Sequence, residues 1–388
     1  MFLAATSVIV VAVWAYLLIA RGGFWLAGER DDKAASDALT SWPSVVAVIP
    51  ARDEADVVPI GLAALLTQDY PGPLSVVLVD DQSSDGTAEA ALATAGQVGA
   101  ASRLRVVSGA RLRPGWTGKL WAMRQGLQAL DDAGEHPDFL LFTDADIRLG
   151  PQTLRRLASI ARKRGSVLTS LMVLLRCESA AERWLTPAFV FFFQMLYPFP
   201  WVNDPARRMA GAAGGCMLVD REALNRAGGL ESLRGALIDD CALGARMKSQ
   251  GPLWLGLTEE AFSLRAYESL GDIAQMVSRS AYAQLRYSVG LLALTLVGLA
   301  LVYLAPPLLA IFAHGWPRIA GIAAWSAMAI AFAPTLRLYR RPLLMAPALP
   351  AIAGVYALFT LHSAVQHWRG RGGYWKGRVQ AQRGLEQA

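Results

Sequence analysis

Asp144 and Asp146 stand one residue apart behind the apolar run 139–142, which reads as a buried strand that ends abruptly in two carboxylates. Two such groups side by side repel each other unless a cation or hydrogen-bond donors offset their charge. Hard oxygen donors suit Mg²⁺ or Mn²⁺, and Mg²⁺ is commonly held by one or two carboxylates together with substrate phosphates. The pair could equally shape a turn, where Asp supplies a local acceptor. Two more acidic turns follow apolar runs: Asp53 and Glu54 behind 44–49, and Asp80 and Asp81 behind 74–79. In a parallel sheet the carboxyl ends of the strands share one rim, so these turns converge. A rim of that sign wants a metal-bound polyphosphate or a sugar and argues against nucleic acid.

The elements that must position these groups alternate between strand and helix. Runs at 44–49, 74–79, 104–107 and 139–142 read as strands, and 57–68, 119–130 and 151–164 as helices. That succession predicts an α/β domain with a mostly parallel sheet covered on both faces. Further on, 166–173, 216–219, 253–257 and 262–267 read as strands, with a helix from 238 to about 250. Residues 272–287 read as an amphipathic helix with Arg279 and Arg286 on one face. The Phe- and Trp-rich stretch 184–202 suits a segment lying on a membrane.

Of the 388 residues, 54% are hydrophobic and 18% charged, too apolar a balance for an ordinary soluble enzyme. The net charge of +6 has no basic block interleaved with aromatics in the globular part, which excludes a nucleic-acid binder. The 3 cysteines, Cys177, Cys216 and Cys241, have no metal or redox spacing, and the 4 histidines are scattered. Residues 2–20 form an uncharged apolar run, followed by Arg21, Arg30 and Lys33, which predicts a retained anchor with the next domain in the cytoplasm. Apolar segments at about 289–313, 319–334 and 343–363 close the chain, the first interrupted by Pro306-Pro307. Arginines 337, 340 and 341 and the basic tail after 369 both carry a cytoplasmic signature, yet one span separates them. Either the last segment is re-entrant, broken by Pro347 and Pro350, or one tail defies the charge rule. The expected organisation is an anchor over 1–21, a linker over 22–42, a catalytic domain over 43–267, an amphipathic interfacial helix over 268–287, membrane segments over 288–368 and a basic tail over 369–388.

The stretches Val48 to Ala55, Val79 to Thr87 and Asp144-Ala145-Asp146, with Gly115 to Lys119, Gly214 to Leu218 and Ile238-Asp239-Asp240, resemble the motif set of membrane-bound family 2 glycosyltransferases. The layout is similar to ceramide glucosyltransferases and closer to bacterial hopene-associated glycosyltransferases. The resemblance covers nearly the whole chain. It implies a GT-A, Rossmann-like fold in a multi-pass protein of the bacterial inner membrane, with the catalytic domain facing the cytoplasm. It further implies inverting transfer from a nucleotide-diphosphate sugar, UDP-linked, to a membrane lipid hydroxyl such as that of a hopanoid. By the same resemblance, Asp81 would bind the nucleobase, with Pro50, Ala51 and Glu54 lining its pocket. Asp144 would contact ribose or the metal, and Asp146 the Mg²⁺ or Mn²⁺ that bridges the diphosphate. Lys119 and Arg286 would reach phosphate or sugar, although Lys119 could be a surface lysine and Arg286 an interfacial one. Asp240 would be the base; Asp239 stands where Glu is commoner in the family, so which carboxylate acts is open, and both could instead cap the helix that follows. Two other functions are compatible: a processive polysaccharide synthase and translocator, which the altered Gln284-Leu285-Arg286-Tyr287 element weakens, and a non-catalytic lipid- or nucleotide-binding scaffold.

Overall fold

The computed structural model describes residues 2–34, 39–376 and 378–379. Eight strands form one mixed, mostly parallel sheet: β1 (Val45–Ala51), β2 (Leu74–Asp80), β3 (Leu104–Ser108), β4 (Phe139–Thr143), β5 (Ile147–Leu149), β6 (Leu168–Leu174), β7 (Cys216–Asp220) and β8 (Leu253–Ser263). Their spatial order is β3-β2-β1-β4-β7-β6-β8-β5. β1 is buried along its whole length, as expected of a central strand covered on both faces. Its alternate residues divide the core. Val46 and Val48 pack under the helix Gly118–Asp132, against Leu120, Met123 and Leu127. Val45, Ala47 and Ile49 face the helices Val58–Leu66, Thr87–Gln97 and Thr153–Arg164.

β1 pairs in parallel with β2 and β4, and β2 with β3, so the four carboxyl ends lie on one rim. β7 runs antiparallel to β4 with Cys216 opposite Thr143, which brings the glycine-rich loop before it to the same rim. β8 ends there too, with Ser263 opposite Ile147.

Several elements depart from the sequence reading. Instead of two strands at 253–257 and 262–267, β8 is one strand of 11 residues. It pairs with β6 over its first half and with β5 at its end, so backbone hydrogen bonding carries it across the polar residues Glu259 and Glu260. The side chains of those two glutamates pair with Arg30 and Arg156. The stretch 22–42 is no free linker where it is described: Asp31 is buried against Arg156 at 3.3 Å, and Leu257 N donates to Glu29 O at 2.8 Å. The single amphipathic helix expected over 268–287 is two helices, Leu270–Ser278 and Ala281–Gln284. Arg286 and Tyr287 then adopt left-handed backbone angles, φ 51° and 55°. The seven-residue spacing of Arg279 and Arg286 therefore does not put them on one helix face.

Helix Phe2–Ile19 is apolar, and Val289–Phe312, Trp316–Leu338 and Leu343–Trp368 are long and apolar enough to cross a membrane. The helix Ala180–Leu196 does not lie beside this bundle but packs into it, setting Phe191 on Phe24 and Phe332, and Phe192 on Tyr303 and Tyr356. Pro306-Pro307 does not end the first long helix. A π turn at Ala300–Leu304 precedes the prolines, accommodating the missing N–H and the ring that would otherwise meet a carbonyl. The last segment begins and ends on the side of the catalytic domain: Arg340 pairs with Glu259 at 3.4 Å and Lys376 with Glu54 at 2.8 Å. Between them, Trp325 Nε1, midway along Trp316–Leu338, donates to Pro347 O at 2.8 Å. The chain therefore climbs only partway before Leu349–Trp368 returns.

Candidate active site

The rim assembles three groups of carboxylates, the second and third sharing a cation. At the β1 and β2 end, Pro50 and Ala51 close β1, and Asp81 N donates to Ala51 O at 2.8 Å. The Asp81 carboxylate is buried, with the Arg52 guanidinium 4.0 Å from Oδ2. Asp80 and Asp85 serve the turn: Asp80 Oδ1 accepts from Ser83 N, and Asp85 from Thr87 N and Ala55 N. Asp53 holds the two loops together by accepting from Ser84 N at 2.9 Å.

In the second group, Glu54 Oε1 meets Arg265 at 3.0 Å and Lys376 Nζ at 2.8 Å. Burial raises the Glu54 pKa, and these two cations oppose the shift. Arg265 Nε also lies 3.0 Å from Asp146 Oδ2, which accepts from Ser263 Oγ as well. One guanidinium thus joins the carboxylate expected to hold metal to one expected to line the nucleotide pocket. Asp144 pairs with Lys119 Nζ at 2.8 Å. Among the described residues no cluster of three or more His, Cys, Asp or Glu could hold a metal by itself. The donors present fit a hard divalent cation that takes Asp144 and Asp146 and completes its shell with phosphate oxygens and water.

The third group is Asp239 and Asp240, which open the helix Asp239–Lys248. Lys119 Nζ reaches Asp239 Oδ2 at 3.3 Å, so this ammonium bridges the second and third groups. Burial lowers its proton affinity, but Asp144 and Asp239 outweigh that and raise it. Asp240 accepts from Gly214 N at 2.9 Å and Cys241 N at 2.7 Å. A Cβ on Gly214 would lie 3.2 Å from Asp240 Oδ2 and 3.3 Å from Lys119 Nζ, a crowding that favours glycine there. Burial, then the neighbouring Asp239, pushes the Asp240 carboxyl up to about 6 from 3.8.

The geometry therefore joins Glu54 to Asp146 through Arg265, and Asp144 to Asp239 through Lys119, with Asp240 alongside. Arg286 is exposed, and its side chain makes no ion pair or hydrogen bond among the described residues. Arg279 is electrostatically nearer: its charge, with those of Arg265, Asp146 and Asp144, acts on the Tyr267 hydroxyl. Arg265, Tyr267 and Lys376 were not legible as site residues. Arg265 and Tyr267 fall inside the strand read at 262–267, which no local signal places on this rim, and Lys376 sits in a tail whose basic residues read as a cytoplasmic signature.

Helix Val58–Leu66 supports the Asp144–Asp146 turn from beneath through Gly61. A Cβ there would lie 2.8 Å from Ala145 O and 2.9 Å from Ile147 O, both fixed backbone. Gly61→Ala is expected to cost about 1–3 kcal/mol in denaturant unfolding, with weakened donor binding because the turn must shift.

An open α/β sheet with converging acidic turns and a glycine loop at one rim defines a GT-A-like nucleotide-sugar enzyme. Residues 43–253 match the family described as Glycosyltransferase like family 2, and the chain belongs to that family. It is a family 2 nucleotide-sugar glycosyltransferase. Among solved structures it is similar to the mannosyltransferase PcManGT from Pyrobaculum calidifontis in complex with GDP-Man and Mn²⁺, at 20% identity over 91% of this chain and 99% of that one, with a TM-score of 0.46. It is also similar to glucosyl-3-phosphoglycerate synthase from Mycobacterium tuberculosis in complex with Mn²⁺ and UDP-glucose, at 18% identity over 63% and 78% of the two chains, with a TM-score of 0.39. No curated protein matches the chain.

Proposed function

We propose that the protein transfers a single sugar, with inversion, from a UDP-sugar to the hydroxyl of a membrane lipid, a hopanoid being the candidate by resemblance. The observation that carries this reading is the bridge Asp144–Lys119–Asp239 beside Asp240, which sets the donor side next to a carboxylate able to take a proton. Asp81, with Pro50, Ala51 and Glu54, holds the nucleobase end. Asp144 and Asp146 hold Mg²⁺ or Mn²⁺, which when bound stabilises charge on the departing diphosphate. Lys119 and Arg265 add positive charge beside it. Asp240 accepts the proton of the acceptor hydroxyl as the new bond forms between its oxygen and the anomeric carbon, and the bond from that carbon to the nucleotide breaks.

In this reading Phe2–Ile19 enters the cytoplasm, Val289–Phe312 leaves and Trp316–Leu338 returns. Leu343–Trp368 dips into the bilayer and comes back. Arginines 337, 340, 341, 369 and 371 then share the cytoplasmic side, in keeping with the positive-inside tendency, and the contacts of Arg340 and Lys376 with the catalytic domain support that arrangement. Mass spectrometry of lipids from a deletion strain and its parent should reveal one glycolipid missing, of single-sugar size. An unchanged lipid profile, or loss of a long polymer, would overturn the proposal.

A further inference from the structure

Glu182 is a fully buried carboxylate that the chemistry above does not use. With Ser179 it forms a capping box at the start of helix Ala180–Leu196. Glu182 N donates to Ser179 Oγ at 3.1 Å, and Glu182 Oε2 accepts from Glu178 N and Ser179 N at 2.8 Å each. Such a box satisfies the exposed amides at a helix start and needs one carboxylate oxygen to do so. The other oxygen, Oε1, accepts from Tyr267 N at 2.7 Å, and Ser179 Oγ donates to Tyr267 O at 2.8 Å. One helix cap thus grips both backbone groups of a residue 85 positions beyond Glu182.

Two residues before that grip stands Arg265. The other end of its segment is tied to the carboxylate turn, where Leu264 N donates to Asp146 O at 2.7 Å. Arg265 therefore reaches Asp146 and Glu54 from backbone fixed on both sides. The Tyr267 ring packs against the cluster formed by the apolar helices. On the helix that Glu182 caps, Leu185 O accepts from the Tyr356 hydroxyl of the last apolar segment at 2.9 Å. The cap is joined to the membrane bundle on one side and to the donor rim on the other.

We propose that Ser179 and Glu182 are positioning residues for Arg265, holding its guanidinium beside Asp146 and Glu54 so that a nucleoside diphosphate bound at this rim meets a charge already in place; this rests on the transferase reading above. An arginine on a loose segment would lose backbone and side-chain freedom at each binding event, and that entropy would weaken the affinity for donor.

The test uses the full chain in detergent, with UDP and Mn²⁺ titrated by calorimetry and hydrogen exchange followed over 264–267 in the ligand-free protein. Glu182→Gln sets an amide N–H against a backbone N–H, and Ser179→Ala removes the hydroxyl. The Kd for UDP is expected to rise roughly tenfold in the first and about fivefold in the second, with faster exchange over 264–267 in both. Ser179→Thr, which keeps the hydroxyl, should restore affinity and exchange. In an Arg265→Ala background neither substitution should weaken UDP binding further, because groups that act through one residue are not additive. Should Glu182→Gln fail to fold, Ser179→Ala and its rescue by Thr carry the test. Unchanged UDP affinity despite faster exchange, or losses that add in full to that of Arg265→Ala, would overturn the positioning role alone. A wild type that binds no UDP would overturn the transferase reading and this role with it.

Discussion

Asp240→Asn is expected to lower transfer by about 10²–10⁴-fold, the usual worth of a positioned proton acceptor, while the protein still binds the donor. The amide has nearly the shape of the carboxylate but cannot take the acceptor proton. The wild-type rate should rise with pH through about 6 and then level, because Asp240 works ionised and its pKa is raised by burial and by Asp239. In the variant that limb should disappear from whatever residual rate is measured. Stability should move in the opposite sense. The folded pKa lies above the unfolded value of 3.8, so the folded state holds its proton longer and stability falls between about pH 4 and 6. Melting temperatures at pH 4.5 and 7 should therefore diverge more in the wild type than in Asp240→Asn. Equal pH–rate profiles for the two proteins would transfer the role to Asp239.

Asp146→Ala should remove the response of donor binding to Mn²⁺. Titration of UDP by calorimetry is expected to tighten on adding Mn²⁺ in the wild type and to be indifferent to it in the variant. Metal stabilisation of developing charge is worth several kcal/mol, so turnover should fall on the order of 10²–10³-fold at about 1.4 kcal/mol per decade. Arg265 makes this more than the loss of one ligand. It is shared between Asp146 and Glu54, and without Asp146 its charge falls to Glu54 alone, which alters the nucleotide end as well. Retained metal-dependent binding in Asp146→Ala would place the cation elsewhere on the rim.

The acidic turns after β1, β2 and β4 were legible in the sequence because they are local: each is an apolar run that stops at carboxylates, and parallel pairing sends strand ends to one rim. The alternating succession of strands and helices and the apolar segments are legible for the same reason, since periodicity and composition act over ten to twenty residues. The counterions were not. Arg265, Lys119 and Lys376 lie 119, 25 and 322 residues from their partners Asp146, Asp144 and Glu54 in turn, and a lone cation in a sequence carries no sign of which carboxylate it will meet. Nor could local pattern decide that β8 would run on through Glu259 and Glu260, because hydrogen bonds to β6 and β5 hold it there. The break after Ser278 likewise overrides a helical spacing that looked continuous. The last apolar segment shows the division most directly. Its length and hydropathy suited a span while the basic residues on both sides of it suited a re-entrant segment, and the contact of Trp325 with Pro347 and the anchorage of Arg340 and Lys376 on the catalytic domain bring both its ends to one side. Sequence determined which segments are apolar and which turns are charged; tertiary structure decided which charges meet and where the chain reverses, because both depend on contacts between residues far apart along the chain.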